Sequence, residues 1–308
     1  MKKALVGVLT PVSLISANAQ PKRPVSPGII DLPTLEARRV QLPNGWSLTP
    51  VGTSLPLGDL PLNIAVSRTG KYAAITNNGQ SVQSIQLMDT RAGRQLDSVE
   101  IGIAWGGIAF TADEKSLYVS GGNDNWIIKY SIKNGKLVND DTIRMGERMS
   151  GKVSPTGIAI DDRRQLLYVV TKENNSLYVI GLRDGKVVRQ LPLSSEGYTC
   201  LLSPDKKELY VSEWGSRMIA VYNTESNVFT DSVAVGDHPN DLCLSENGQY
   251  LYVANALDNS VSVVDIKGRK VLETLNAALY PESRGRQYDQ WRGAERGRED
   301  AVCGGCGQ

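Results

Sequence analysis

Residue types that many active sites depend on are scarce in this chain. Its 308 residues include one histidine, two phenylalanines and four cysteines, and 34 basic side chains stand against 33 acidic ones. The balanced charge argues against a nucleic-acid-binding surface, so no nucleic acid is expected as a partner. Four cysteines are also too few for the disulfide framework of a small secreted domain.

Sequence motifs of catalysis are absent as well. The chain contains no HExxH, no GxSxG and no phosphate-cradling glycine loop. His238 precedes a proline at a loop end, where a solvated or capping role is commoner than a catalytic one. Cys200 and Cys243 lie in apolar strands, and the repeat alignment points them to opposite faces, so we expect packing and no disulfide between them. The sequence therefore predicts no catalytic residue, no metal and no cofactor.

The N-terminus is predicted to be a secretory signal peptide over residues 1–19. Lys2 and Lys3 precede an apolar run over residues 4–17, and Ala-Asn-Ala at 17–19 offers a small-x-small cleavage site. Pro11 interrupts the run, which is too short to span a membrane. We expect an exported protein, periplasmic or extracellular, with no membrane span after cleavage. Residues 20–39 are rich in proline and are predicted to be a linker.

A repeated unit dominates the rest of the chain. An apolar run ending in Ser, Thr or Asp is followed by a turn and then a Leu-Tyr-Val-like strand, with a period of about 42 to 50 residues, which is typical of propeller blades. The residue that ends the apolar run recurs at Ser67, Thr111, Asp161, Ser203 and Ser245. The predicted blades lie near residues 60–103, 105–146, 154–194, 197–236 and 238–279.

Each repeat offers four strand-length pieces, so we predict an all-β fold, a β-propeller of four-stranded antiparallel blades over residues 40–280. The first piece is almost wholly apolar, which predicts an inner strand covered on both faces. The third and fourth alternate, which predicts strands with one wetter face. Asn134-Gly135 and Asp184-Gly185 are predicted hairpin turns. A strand within residues 46–57 is expected to complete the last blade.

The repeats resemble a known family. LYVANALDNSVSVVDI, LYVSGGNDNWIIKYSI and LYVSEWGSRMIAVYNT are similar to the repeat of bacterial YVTN-type β-propellers, over roughly residues 60–278. The resemblance implies seven blades, of which five are recognisable. The leader and the segment LPNGWSLTPVGTSLPLGDLPLNIAVS look most like the exported propellers that precede an alkaline-phosphatase-like phosphoesterase domain. No residues like that domain's metal-binding catalytic set occur here, so its activity is not implied.

Residues 281–308 break the pattern. They crowd arginine and glycine and end in Cys303-Gly-Gly-Cys306. Nucleic-acid binding and metal or redox chemistry are both poorly supported, because nearby acids cancel most of the positive charge and one CxxC supplies half of a four-ligand zinc site.

A shifted reading frame explains this segment better. Codons from Arg286 read one base later permit GSTTNGVALSEDGKTLYVADADN, which matches NDLCLSENGQYLYVANALDN of the fifth repeat. We therefore predict a frameshift-derived tail on a truncated propeller. Such a chain would form an open arc or a strained five-blade ring, with bare apolar faces and poor solubility.

The residues that precede each inner strand are expected to line one mouth of the central channel, where function in repeat folds commonly lies. Glu213 and Trp214 depart from the Asn-rich turn pattern and offer a second contact point. The candidate ligand-binding residues are Asn63, Tyr198, Thr199, His238, Asn240, Asp241, Glu213 and Trp214. The alternative is that all of them are solvated turn residues.

Two classes of function remain open. The first is an exported, non-catalytic binding or scaffolding module, the front part of a longer phosphoesterase-linked protein, whose partner is a small molecule, a peptide or another protein. The second is a lactonase-like propeller hydrolase. That activity would need acids with a histidine or a metal converging at the channel mouth.

Overall fold

The computed structural model describes residues 36–37, 39–48, 55–150 and 152–278. Contacts divide the chain into two compact units, residues 1–56 and residues 57–308, and each is described by itself. The predicted signal peptide, nearly all of the predicted linker and the predicted frameshift tail lie outside the described residues. In the described ranges, no helix has the length and apolar character needed to cross a bilayer.

The first unit contains a short hairpin. Strand β1 (Val40–Gln41) pairs antiparallel with β2 (Ser47–Leu48). Gly45 lies in the turn between these strands and has a φ of 82°, a conformation that glycine adopts at no steric cost. The expectation that residues 46–57 complete the last blade is not met by β2, because its partner is β1; residues 49–54 lie outside the described part.

The second unit consists of five four-stranded antiparallel sheets, as the repeats predict. Blade 1 comprises β3 (Pro61–Val66), β4 (Tyr72–Asn77), β5 (Ser84–Asp89) and β6 (Arg94–Glu100). Blade 2 comprises β7 (Ile108–Phe110), β8 (Ser116–Ser120), β9 (Trp126–Lys133) and β10 (Lys136–Arg144). Blade 3 comprises β11 (Pro155–Asp161), β12 (Leu166–Thr171), β13 (Ser176–Gly181) and β14 (Val187–Pro192). Blade 4 comprises β15 (Gly197–Leu202), β16 (Glu208–Glu213), β17 (Met218–Asn223) and β18 (Val228–Ala234). Blade 5 comprises β19 (Pro239–Leu244), β20 (Tyr250–Asn255), β21 (Ser260–Asp265) and β22 (Lys270–Asn276).

Consecutive blades are held together by apolar cores. Separate core clusters join blade 1 to 2, blade 2 to 3, blade 3 to 4 and blade 4 to 5. Each cluster uses alternate side chains of the facing sheets, because a strand presents successive side chains to opposite faces. Within the described part of the chain, no such cluster joins blade 5 to blade 1.

Burial within a blade differs from the prediction. The second strand is the most deeply buried, and β4 is buried along its whole length. The third strands β5, β13 and β17 are also buried at nearly every interior position, whereas the fourth strands β14 and β18 are exposed over most of their length. In blade 5 the third strand, β21, alternates as predicted. In blades 2, 3 and 4 the neighbouring blades cover both sides of the middle strands. The inner strands border the channel, which explains their partial exposure.

The two described cysteines have different environments. Cys200 is buried between blades 3 and 4, and Cys243 is exposed; both are free thiols. They point to opposite faces of their blades, as predicted. The expectation that Cys243 packs is wrong, because its side chain lies on the outward face of blade 5, which no blade of the described residues covers.

The predicted hairpin turns are confirmed. Asn134 and Gly135 have φ angles of 52° and 74°, and Gly185 has a φ of 64°. These left-handed conformations match the right-handed twist of the strands that they connect.

Candidate functional site

The five inner strands surround a common channel. A cavity of about 330 Å³ along its axis is lined by residues of β3, β7, β11, β15 and β19 together with their leading loops. At one end a smaller cavity of about 150 Å³ forms the mouth. Its lining comes from all five blades: Leu62, Asn63, Trp105, Gly106, Gly157, Tyr198, Thr199, Asn240 and Asp241.

Five of the eight candidate residues therefore meet at this mouth. They are Asn63, Tyr198, Thr199, Asn240 and Asp241. They converge because each lies at or near the start of its inner strand, and the start of every inner strand lies at the same end of the channel. Their role in binding remains a prediction, whereas their placement follows directly from the repeat register.

Aromatic rings form a row beside the mouth. Tyr198 on β15 stacks on Trp214, with ring centroids 4.9 Å apart and planes 20° apart. Trp214 follows β16, and its ring meets the edge of His238 at 4.8 Å with an interplanar angle of 86°. The three rings come from two adjacent blades and fix one another through stacked and edge-to-face contacts. The row adds an apolar wall to an otherwise polar mouth.

His238 is oriented by its neighbour. Its Nδ1 lies 2.7 Å from Oδ1 of Asp237, so the neutral imidazole carries its proton on Nδ1 and leaves Nε2 as an acceptor. Arg217 Nε lies 3.8 Å from the same carboxylate oxygen. His238 also has a φ of 55°, a left-handed conformation that is uncommon outside glycine and aims the side chain back towards Trp214.

Some hydrogen-bonding groups at the mouth bond to the protein itself, and others have no partner. Asn63 donates through Nδ2 to the Gly106 carbonyl, which ties blade 1 to blade 2. The buried Oδ1 of Asn240 has no partner among the described residues. Burial, reinforced by the charge of Asp241, raises the pKa of Tyr198. The Tyr198 hydroxyl thus stays protonated and available as a donor.

Glu213 occupies a different place from Trp214, although the two residues are adjacent in sequence. Its side chain is buried, and its carboxylate accepts hydrogen bonds from the Ser194 hydroxyl, from the Ser194 backbone N–H at 3.2 Å and from the Ser216 hydroxyl at 2.8 Å. These bonds fasten the turn after β16 to the segment between blades 3 and 4. The proposed second contact point therefore reduces to Trp214, which joins the aromatic row.

Trp105 is a mouth residue that the sequence reasoning did not select. It stands two positions before Gly107, which lines the channel, at a repeat position where the other blades have Pro61, Pro155, Gly197 or Pro239. The signal that could have identified Trp105 in the sequence is a bulky aromatic residue where the other repeats have proline or glycine.

A larger cleft lies away from the channel, between the outer parts of blades 4 and 5. It has a volume of about 820 Å³ and mixed charges. Its central groups are already paired, because Glu208 bonds Arg269 and accepts a hydrogen bond from the Tyr210 hydroxyl at 2.8 Å. The mouth, in contrast, brings together side chains from every blade.

This architecture defines the chain as a β-propeller repeat protein. A family model described as lactonase, 7-bladed beta-propeller matches residues 199–280. Among curated proteins, the chain is similar to NHL repeat-containing protein 2 of Bos taurus, at 30% identity over 127 residues, and of Homo sapiens, at 28% over 117 residues. These matches cover 41% and 38% of this chain but 13% and 12% of those proteins, so the chain spans about an eighth of their length.

Solved structures show the same fold. Hydrazine synthase of Kuenenia stuttgartiensis superposes with a TM-score of 0.57 at 21% identity, covering 71% of this chain and 65% of that chain. A protein of unknown function from Desulfotomaculum acetoxidans gives a TM-score of 0.61 at 16% identity, covering 76% of each chain. At these identities the similarity concerns the fold alone.

Proposed function

We propose that this chain is an exported β-propeller that binds a ligand at the mouth of its channel and does not transform it. The observation that carries the proposal is the convergence of polar residues from all five blades on one cavity, beside the row of Tyr198, Trp214 and His238. Concave sites with apolar walls and a few convergent polar groups are typical of ligand binding.

The chemistry of the mouth suggests the kind of ligand. Tyr198 and Trp214 offer flat apolar faces, while the Tyr198 hydroxyl, the free Oδ1 of Asn240 and the Asp241 carboxylate offer one donor and several acceptors. A small neutral molecule with an apolar face and hydroxyl groups, or an aromatic side chain of a peptide, matches this set. The leader sequence supports an exported location, and the YVTN-like repeats support a scaffolding role within a longer phosphoesterase-linked protein.

A binding screen tests the proposal. We would record saturation-transfer NMR spectra of the chain with glucose, gluconate and a tryptophan-containing tripeptide as probes. The Trp214→Ala variant should weaken binding of a positive probe at least about tenfold, the loss expected when an anchoring aromatic is removed. Trp46→Ala is the matched control, because Trp46 is exposed in the hairpin of the first unit. Equal effects of the two variants, or no binding of any probe, would count against the mouth as a site.

Lactone hydrolysis is the second candidate. It is favoured by the lactonase family model over residues 199–280 and by the Asp237–His238 pair beside the mouth. Against it, the mouth cavity has one lining carboxylate, Asp241, and no group of three or more His, Cys, Asp or Glu suited to a metal ion occurs in the described part of the chain. Hydrolysis of glucono-δ-lactone, with and without added Zn²⁺ or Ca²⁺, distinguishes the two. An activity lost in His238→Gln would replace the binding proposal.

A further inference from the structure

The mouth and the channel share one negative charge. Among the described residues that border the two cavities, Asp241 is the one charged side chain. It lies near the start of β19 and lines both cavities, so its carboxylate stands where the channel opens into the mouth. Its Oδ1 accepts a hydrogen bond from the Leu242 backbone N–H at 2.9 Å. Its Oδ2 has no hydrogen-bond partner within the described part of the chain.

Polar groups beside this carboxylate offer further acceptors. The Oδ1 of Asn240 is buried and has no partner among the described residues. Thr199 lines both cavities with Asp241. The donor of Asn63, in contrast, is already used, because its Nδ2 bonds the Gly106 carbonyl. The mouth therefore favours a ligand that donates hydrogen bonds, since a buried acceptor without a partner costs free energy.

Aromatic rings from two blades line the same small cavity. Trp105 comes from the segment before β7, and Tyr198 comes from β15. The face of an aromatic ring attracts a cation, and the indole of tryptophan does so most strongly. The charge of Asp241 also acts on the Tyr198 hydroxyl, because it adds to the effect of burial in raising the Tyr198 pKa. One small ligand can thus contact the carboxylate and the rings together.

Other acids of this region are compensated by the protein. Asp237 and Asp258 lie beside His238, and Arg217 approaches their carboxylates at 3.8 Å and 3.7 Å. Asp241 has no such ion pair within the described residues. A cationic ligand would supply the missing charge, whereas an anion would meet the carboxylate with a charge of the same sign.

We propose that the mouth selects a cationic ligand, a protonated amine joined through a short linker to an aromatic ring. This inference rests on the proposed function and narrows it to an aromatic group that carries a positive charge. The ammonium donates to Asp241 and to Oδ1 of Asn240, and the ring lies against the row of Tyr198, Trp214 and His238. The mouth, at about 150 Å³, has room for the ammonium and its linker. A free aromatic amine and the N-terminus of a peptide that begins with an aromatic residue share this chemistry.

Three ligands of one shape and different charge test the inference. They are 2-phenylethylamine, 2-phenylethanol and 3-phenylpropionate, titrated into the whole chain at neutral pH and followed by saturation-transfer NMR. We expect the amine to bind at least about fivefold more tightly than the alcohol, and the acid to bind most weakly. Only the affinity of the amine should fall as sodium chloride rises from about 20 mM to about 500 mM, because salt screens exposed charges.

Substitutions at Asp241 change the charge at an exposed position. Asp241→Asn keeps the size of the side chain and an oxygen for the Leu242 N–H, and it should make the amine and the alcohol bind equally. Asp241→Lys should reverse the order, so that 3-phenylpropionate binds best. Glu246→Gln is the matched control, because Glu246 is an exposed acid of the same blade that lines neither cavity. Circular dichroism checks that each variant is folded.

The outcomes separate this inference from the proposed function. Equal binding of the amine and the alcohol, weakened alike by Trp214→Ala, would overturn the selection of a cation and leave the mouth as a binding site. If none of the three ligands binds, the inference fails, and the sugar and peptide probes decide on the mouth by themselves.

A pair of peptides distinguishes the two sources of the ammonium. Phe-Gly-Gly should bind, and its N-acetylated form should not, because acetylation removes the positive charge. Equal binding of the two peptides would overturn the inference. If the free peptide binds more tightly than 2-phenylethylamine, a peptide N-terminus is the better ligand, and if it binds more weakly, a free amine is.

Discussion

The tyrosine of the Leu-Tyr-Val strand shows how much each side chain depends on the neighbouring blade. Tyr118, Tyr168 and Tyr210 are buried at the same repeat position, and Tyr252 is exposed there. Local sequence is similar in all four blades, so the difference comes from the presence or absence of a following sheet. Stability in stacked repeats is largely a sum over such neighbour contacts.

A matched pair of substitutions measures this contribution. Tyr210→Ala should lower the free energy of unfolding by about 3–5 kcal/mol, because it leaves a cavity between blades 4 and 5. Tyr252→Ala should lower it by less than about 1 kcal/mol, the usual range for a surface change. Urea unfolding followed by far-UV circular dichroism gives both values. Similar losses at the two positions would mean that Tyr252 is covered.

Asp161 is a buried carboxylate that links blades 3 and 4. Burial alone would raise its pKa, but the hydrogen bonds from Arg164 and the charge of Lys206 outweigh burial and lower the pKa below the ordinary value of 3.8. Arg164 Nη1 lies 2.8 Å from Oδ2 of Asp161 and also donates to the Lys206 carbonyl at 2.9 Å. The ionised carboxylate therefore stabilises the contact between the two blades.

The pH dependence of stability should reflect this. A carboxylate whose pKa is depressed in the folded state contributes stability above its unfolded pKa, and this stability is lost as the pH falls below 3.8 towards the folded pKa. Asp161→Asn should unfold at a lower temperature at pH 7 and show a smaller further loss between pH 4 and about pH 2. Glu246→Gln, at an exposed carboxylate, serves as the control. Parallel curves for Asp161→Asn and the wild type would contradict the assignment.

At the scale of the element, inner strands approach one another closely around the channel. A Cβ built on Gly157 of β11 would collide with the Thr199 Cα and lie 2.9 Å from the Cys200 backbone nitrogen on β15. Gly107, at the same repeat position, would meet the Thr156 carbonyl. Only backbone without a side chain fits between these strands, so glycine sets the spacing of blades 2, 3 and 4.

Alanine at this position should push two blades apart. Gly157→Ala is expected to lower the free energy of unfolding by about 1–3 kcal/mol, the usual cost of overpacking. Gly106→Ala should be nearly neutral, because nothing lies within 4 Å of its added Cβ. Thermal unfolding of the two variants at equal concentration is the measurement. A neutral Gly157→Ala would show that the blades are more loosely spaced than described.

The four-stranded antiparallel blades and their strand order could be predicted because they depend on local signals, namely turn residues and the recurring Leu-Tyr-Val piece. The burial of third strands such as β13 could not, because alternation in sequence does not reveal how far the next blade extends over a strand. The exposure of Cys243 could not be predicted either, because the sequence of an apolar strand does not show whether another blade packs against it.

Some residues of the mouth could also be predicted from local signals in the sequence. Asn63, Thr199 and Asp241 follow from strand register, and register follows from the repeat. Glu213 and Trp214 are adjacent in sequence, yet one is buried in a turn and the other stacks on Tyr198. Which side chain of such a pair turns inward depends on the hydroxyls supplied by another segment, here Ser194, and the local sequence does not specify it.

At the scale of the whole molecule, five blades share a channel, and among the described residues no blade follows blade 5. The exposed apolar side chains on the outward face of blade 5, such as Tyr252, match buried positions in the other blades, which distinguishes them from isolated surface hydrophobics. We expect solubility and self-association to depend on this face of blade 5. Ligand binding at the mouth depends on a different set of residues, so the two properties can be tested separately.

Native thiol labelling tests the arrangement of the blades most directly. In a Cys303→Ser, Cys306→Ser background, mass spectrometry after maleimide treatment reports Cys200 and Cys243 separately. Burial between blades 3 and 4 raises the pKa of the Cys200 thiol, whereas Cys243 is exposed on the bare face of blade 5. We predict rapid modification of Cys243 and none of Cys200 until the protein unfolds. Equal modification of both cysteines, or protection of Cys243 in the monomer, would contradict the account.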